Sequence, residues 1–151
     1  MSVRSTVLEH YQVEVDHSAD RVVVPPEGWI RTVRKALGMS GAQLARRMGV
    51  TRARIAQAEK AELDGGVTLK SMEAMAEAMG CRFAYAFVPP GTIENVLIQQ
   101  AREKAIAIVD RAGVHMALED QTLSAARREA EIARVMQDLL RDMPADLWNE
   151  R

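Results

Sequence analysis

Basic and amide side chains recur at helical spacing between positions 46 and 60, and these are the residues with the clearest chemical potential. They are Arg46, Arg47, Arg52, Arg54, Gln57 and Lys60. Arginine can pair with guanine edges in the major groove of DNA, glutamine with adenine edges, and each cation can also contact a phosphate. Residues 28–60 hold eight basic side chains against one acidic, although the whole chain is nearly neutral, with 20 basic and 21 acidic residues. A neutral protein with one strongly basic module is expected to direct that module at an anion.

Two short helices joined through a glycine turn are predicted to position these side chains. Ser40 followed by Gln43 is a capping box, which opens a helix over Gly41–Met48. Gly49 is expected to end that helix, because glycine tolerates the left-handed backbone conformation of a helix stop. Thr51 then caps the next helix. This spacing is typical of a helix-turn-helix.

The apolar residues of the same stretch predict how the two helices pack. Ala45 is small where the helices cross, and Leu44, Val50 and Ile55 are expected to fill the space beneath the turn. The residues left on the outer face of the second helix are Arg52, Ala53, Arg54, Gln57 and Lys60. Such a face suits the major groove. The alternative is a small structural helical bundle whose arginines are simply solvated.

Two proline pairs, at positions 25–26 and 89–90, predict the boundaries of the chain's segments, because residues before proline avoid the helical region. The predicted segments are an N-terminal arm over 1–24, a helix-turn-helix DNA-binding domain over 25–90, and a C-terminal helical region over 91–151 for dimerisation or partner binding. The predicted fold class is mainly α.

Four helices followed by a short strand are predicted for the middle segment. The first has Trp29, Ile30, Val33 and Leu37 at helical spacing, and the fourth is capped by Thr68. The fourth carries an apolar series, namely Met72, Met75 and Met79. Residues 83–88 are apolar and suggest a strand, which needs a partner because an unpaired apolar edge invites association. That partner is either residues 11–15 or, as we favour, the same strand of a second copy.

The two flanking segments give weaker signals. Residues 11–15 alternate in polarity and residues 22–24 are β-branched, which predicts two short strands around a turn at 17–20, with an unstructured arm as the alternative. The C-terminal segment predicts two longer helices separated by a loop over 115–121. Their apolar stripes are Ile93, Leu97, Ala101, Ala105, Ile108 and Ala112 in the first, and Leu123, Ala126, Ala130, Ala133, Met136 and Leu140 in the second.

The sequence gives little support to an enzyme, a metalloprotein or a membrane protein. The histidines and Cys81 match no compact zinc-ligand spacing, and no nucleophile, acid–base pair or glycine-rich phosphate loop emerges. Cys81 is expected to be a buried packing thiol, and no cofactor is expected. No apolar run is long enough for a membrane span. A single cysteine and the absence of an export signal indicate a soluble cytoplasmic protein.

Over residues 28–80 the sequence resembles the lambda/Xre-type helix-turn-helix family. By position, the resemblance implies that Arg52, Ala53 and Gln57 read bases, and that Thr51 and Arg54 lie near phosphates. Charge alone adds further phosphate contacts at Arg46, Arg47 and Lys60. Ala53 departs from a polar reading set, because its methyl group can only touch a thymine methyl or stay passive.

This assignment leaves few base contacts for each subunit. One short helix with two polar base-reading side chains rarely specifies a site, so a homodimer on a palindromic double-stranded operator is expected.

A second resemblance, to the family labelled mobile mystery protein A, covers most of residues 28–150. It is carried by GWIRTVRKALGMS at 28–40, TLK at 68–70, Gly80-Cys81, Tyr85 with Val88-Pro89, MALEDQ at 116–121, and Leu147-Trp148. Such proteins are typically encoded beside a Fic-domain protein. The resemblance implies an antitoxin that binds both a Fic-domain toxin and its own promoter. The alternative is an interaction module that neutralises the toxin, with DNA binding secondary.

Overall fold

The computed structural model describes residues 3–19, 22–118 and 124–149, and within them the chain is mainly helical, as predicted. The helices are α1 Val3–Ala19, α2 Trp29–Ala36, α3 Gly41–Met48, α4 Arg52–Asp64, α5 Leu69–Ala78, α6 Ile93–Leu118 and α7 Ala125–Asp142. They fall into two compact units. One comprises Arg21–Ala86, and the other comprises Met1–Asp20 together with Phe87–Arg151.

The unit over Arg21–Ala86 has the four helices expected from the sequence, α2 to α5. The predicted capping box is present at the start of α3, where the Ser40 hydroxyl accepts from the Gln43 N–H at 3.1 Å. The Gln43 side chain in turn accepts from the Ser40 N–H at 2.7 Å. Gly49 ends α3 in the left-handed region, with a φ of 67°.

One apolar core joins the four helices of this unit. Ile30, Leu44, Ala45 and Ile55 are buried, and so is the predicted methionine series of α5 and its C-cap, Met72, Met75 and Met79. The prediction that Val50 also fills this space is wrong, since its side chain is 36% exposed. Val50 lies in the turn, where its N–H bonds to the Ala45 carbonyl, and it is not part of the core cluster.

No strand forms among the described residues, so the short strand predicted over 83–88 is not present in this chain. The segment is extended but has no neighbouring strand to pair with, and residues 22–24 are likewise irregular. Cys81, which opens the segment, is exposed rather than buried. No sheet forms among the described residues to cover Cys81, although Phe83 remains half-buried against the core of α2 to α5.

The strand predicted over 11–15 is also wrong, because these residues lie within α1. Leu8, Gln12 and Val15 are half-buried on one side of this helix. Their spacing of four and three residues matches the helical period, and packing of that side outweighs the short alternation in polarity. Residues 11–15 therefore cannot pair with the segment over 83–88.

Helices α6 and α7 form the core of the second unit, with Ala105, Val109 and Ile132 buried between them. The predicted stripe of α6 is confirmed at Ala101 and Ala105, which are fully buried, and is wrong at Ile108 and Ala112, which are exposed. The predicted stripe of α7 is wrong in its first half. Its alanines, Ala126, Ala130 and Ala133, are exposed. Burial of the larger Ile132 removes more apolar surface from water than burial of an alanine does, and this sets the rotation of α7. Leu123 lies outside the described residues.

The C-terminal end of α6 differs from the prediction, and its N-terminal end shows how α1 is attached. Asp16 of α1 accepts a hydrogen bond from the Ile93 N–H at 2.8 Å and so caps the first turn of α6. The loop predicted over 115–121 is wrong for residues 115–118, which are helical, and residues 119–121 lie outside the described ranges. None of the described helices is long and apolar enough to cross a membrane.

Candidate nucleic-acid interface

Helix α4 presents a polar face directly opposite its buried side. The Thr51 hydroxyl accepts from the Arg54 N–H at 3.2 Å and caps the helix as predicted. Ile55 is buried in the core and fixes the rotation of α4. Residues at positions i, i+4 and i+7 share one face of a helix. Ala53, Gln57 and Lys60 have this spacing and all three are exposed.

The first turn of α4 is strongly positive. Arg52 and Arg54 flank the exposed face on either side, and neither forms an ion pair with any residue in the described ranges. The N-terminus of a helix also carries about half a positive charge from its aligned peptide dipoles. Side-chain and backbone charges therefore reinforce each other at the end of α4 that would approach an anion.

Two arginines in the last turn of α3 extend the positive surface, but they differ in their surroundings. Arg46 is exposed and forms no ion pair within the described part of the chain. Arg47 is also exposed, yet its Nε donates to the Ala78 carbonyl at 2.7 Å and so closes the last turn of α5. A guanidinium has five N–H donors, so Arg47 keeps others for a phosphate. Sequence reasoning missed this anchoring bond, because its partners are 31 residues apart.

The predicted phosphate contact at Thr51 is compatible with its capping role. Its oxygen accepts the bond from the Arg54 N–H, while a hydroxyl also carries one hydrogen that it can donate. A phosphate oxygen could accept this hydrogen without displacing the cap.

Two carboxylates of α4 face α2, away from the basic surface. Glu59 lies 2.6 Å from the Nε of Arg34, and both side chains are only 14% exposed. Glu62 accepts from the N–H groups of Trp29 and Ile30 at 2.5 and 2.9 Å. It therefore caps the first turn of α2 from a neighbouring helix, because the capping position itself is Gly28, which has no side chain to do so. Neither link could be predicted from the sequence, because the partners of each lie on different helices.

The remaining basic residues of this stretch form ion pairs on α2. Lys35 lies 2.9 Å and Arg31 4.0 Å from the carboxylate of Glu27. The hydrogen bond from Lys35, its charge, and the charge of Arg31 hold the pKa of Glu27 below its ordinary value, so this partner stays ionised at neutral pH. Within the described residues, the basic side chains of 28–60 that lack an ion pair are those of α3 and α4. They are Arg46, Arg47, Arg52, Arg54 and Lys60.

The described residues contain no group of three or more histidine, cysteine, aspartate or glutamate side chains that could hold a metal ion.

A family model described as helix-turn-helix matches residues 30–85, a little over a third of the chain. Comparison with curated proteins and with solved structures found no match. Residues 30–85 are accordingly a helix-turn-helix domain of Xre type, and this match supports a DNA-binding regulator. It covers no residue of α1, α6 or α7.

Proposed function

We propose that this protein is a sequence-specific transcriptional regulator that places α4 in the major groove of its operator. The observation that carries this proposal is the separation of charge on the helix-turn-helix. The basic side chains of α3 and α4 lack ion pairs among the described residues, whereas Glu59 and Glu62 are engaged by α2. If the basic side chains were simply solvated, keeping the carboxylates of α4 away from them would bring no advantage.

The proposed base-reading residues are Arg52, Ala53 and Gln57. Gln57 is exposed at the centre of the α4 face and suits an adenine edge, while Arg52 at the first turn suits guanine. Ala53 offers a methyl group to a thymine. The residues proposed to hold the helix on phosphates are Thr51, Arg54, Arg46, Arg47 and Lys60.

Dimerisation on a palindromic operator is part of the proposal, because two polar base-reading side chains per subunit specify too few base pairs. The extended segment over 83–88 supports a second copy as the strand partner. Its Tyr85 and Phe87 are 64% and 88% exposed, so an isolated subunit leaves two aromatic rings in contact with water, which is unfavourable. Pairing with the same segment of a second copy would cover them. Mixed-label exchange should reveal a dimer at micromolar concentration, and a monomer there would contradict this part.

The DNA-binding proposal is tested by fluorescence anisotropy with the DNA upstream of the protein's own reading frame. An unrelated duplex of equal length is the control, and both are titrated across a salt series. We expect a preference of about 10³-fold or more for the upstream DNA. Equal, steeply salt-dependent binding to both duplexes would reduce the surface to an unspecific basic patch.

We further propose that the regulator is an antitoxin that represses an operon shared with a Fic-domain toxin. The resemblance of the stretches at 28–40, 116–121 and 147–148 to mobile mystery protein A supports this role. The second unit also exposes 56% of Trp148, and exposed tryptophans are typical of protein-binding surfaces. The alternative is a module that mainly neutralises the toxin, with DNA binding secondary.

The two roles separate in a full-length variant that carries Arg52→Ala and Gln57→Ala. It should lose operator binding, and its ability to rescue growth from the neighbouring Fic-domain protein is then measured. Rescue at the wild-type level would favour neutralisation by direct contact. Loss of rescue together with DNA binding would favour repression as the main function. No rescue by either the wild-type protein or the double variant would contradict the antitoxin proposal.

A further inference from the structure

The Arg21–Ala86 unit contains an open pocket of about 300 Å³ on the side formed by α2, α5 and the extended residues 81–84. Its walls are almost entirely apolar. They include Trp29, Val33, Met72, Met75, Met79 and Phe83. Pockets of this size and lining are typical of sites for small organic molecules.

A charged side chain, that of Arg82, lines this pocket. Among the described residues that line it, Arg82 is the only charged one, and it forms no ion pair with any described residue. A guanidinium presents a fork of N–H donors that fits a carboxylate with two parallel hydrogen bonds. An exposed arginine beside apolar walls therefore complements a molecule that is apolar in its body and acidic at one end.

We propose that this pocket binds a small amphipathic carboxylate, of the size of a medium-chain fatty acid, with the acid group on Arg82. The apolar body lies against Trp29 and the methionines, whose unbranched side chains adapt to the shape of a ligand. Burial of this body removes apolar surface from water. The acid group stays partly hydrated and exchanges some of its water contacts for hydrogen bonds from the arginine. A neutral or cationic amphiphile would fill the same space but leave the charge of Arg82 without a counter-charge.

This site is separate from the proposed DNA-binding surface. None of the residues proposed to contact DNA lines the pocket. Phe83 and Ala84 also belong to the segment proposed for dimerisation, so the ligand proposal is tested by direct binding measurements and not through operator binding.

The binding test uses the full-length protein with Trp148→Phe, so that Trp29 is its only tryptophan. Decanoate is titrated while the fluorescence of Trp29 and the Tm are recorded. We expect a saturable change with one decanoate per chain and a rise in Tm. Decanol and decyltrimethylammonium are the matched ligands, and each should bind about tenfold more weakly or worse, because neither carries the negative charge that pairs with Arg82.

Three variants locate the site. Arg82→Gln should weaken decanoate binding about tenfold, with no effect on decanol. Ala84→Phe should block the pocket from its exposed rim, and circular dichroism checks that it remains folded. Lys70→Gln removes an exposed charge of α5 that does not line the pocket, so it should leave the affinity unchanged.

The proposal is overturned by the absence of saturable binding, by equal affinity for decanoate and decanol, or by unchanged binding in both Arg82→Gln and Ala84→Phe. It is also overturned if decanoate binds more tightly as the protein is diluted. That result would mean that a second copy of the chain occupies the pocket and the ligand merely competes with it.

Discussion

Arg34 of α2 and Glu59 of α4 form a largely buried ion pair, with 2.6 Å between Nε and the carboxylate oxygen. The same guanidinium donates through Nη1 to the Met39 carbonyl at 3.0 Å. The pair therefore joins α2, the turn before α3, and α4. It also neutralises the only acidic residue of 28–60, which would otherwise repel a phosphate backbone.

The ion pair predicts a stability effect of Glu59→Gln. This change leaves a largely buried guanidinium without its counter-charge, so we expect the free energy of unfolding to fall by about 1–3 kcal/mol. Urea denaturation measures it. Glu27→Gln is the matched control, because Glu27 pairs with Lys35 on the exposed side of α2, where solvent screens the interaction. Equal effects of the two changes would contradict a special role for Glu59.

Gln57→Ala is expected to alter which sequence is preferred. Gln57 lies at the centre of the exposed face of α4, so its loss should cost about 1–3 kcal/mol at one base position and relax the preference there. Anisotropy with operators substituted at single positions measures this. A uniform loss across all substituted operators would show that Gln57 does not read a base.

Arg46→Ala should instead weaken every sequence alike. Its exposed charge is proposed to contact a phosphate, so the slope of log affinity against log salt should flatten by about one unit. Arg31→Ala is the control, since Arg31 lies beside Glu27 on α2 and outside the proposed contact surface. A salt slope that stays at the wild-type value in Arg46→Ala would remove this residue from the interface.

Arg47→Ala should weaken both DNA binding and the fold. Its bond to the Ala78 carbonyl closes α5, so we expect a loss of about 0.5–1 kcal/mol in the free energy of unfolding in addition to a flatter salt slope. Arg46→Ala, which breaks no such bond, should leave stability unchanged. If thermal or urea unfolding cannot separate the two variants, the anchoring role of Arg47 is wrong.

Gly28→Ala tests the close contact at the start of α2. Gly28 has a φ of +81°, and a Cβ there would lie 2.8 Å from the Glu62 Oε1 that caps this helix. Backbone strain and displacement of the cap should together cost about 1–3 kcal/mol. Gly66→Ala is the matched control, because a Cβ at Gly66 meets nothing within 4 Å. A Gly28→Ala protein as stable as the control would mean that the Glu62 side chain moves aside with no loss in the free energy of unfolding.

The features that the sequence predicted well depend on neighbours a few residues apart. The capping box of Ser40 and Gln43, the left-handed stop at Gly49 and the cap at Thr51 were all readable, because each is a hydrogen bond or backbone preference within one helical turn. The exposure of Gln57 follows from the burial of Ile55 in the same way, since the helical period fixes their relative directions.

The features that the sequence missed depend on how the chain folds back on itself. Residues 11–15 alternate in polarity over too short a stretch to distinguish a strand from a helix, and the packed side of α1 decides the outcome. The segment over 83–88 has the composition of a strand, but only a neighbouring strand could make it one.

The sequence by itself determined that a basic helix-turn-helix is present and which of its residues face outward. Only the tertiary structure decided which charges remain available to a partner. Arg47 is bound to Ala78, and Arg34 to Glu59, across 31 and 25 residues of chain. Such pairings carry no local signal, because they arise from the packing of whole helices, and that packing depends on the shared core beneath them.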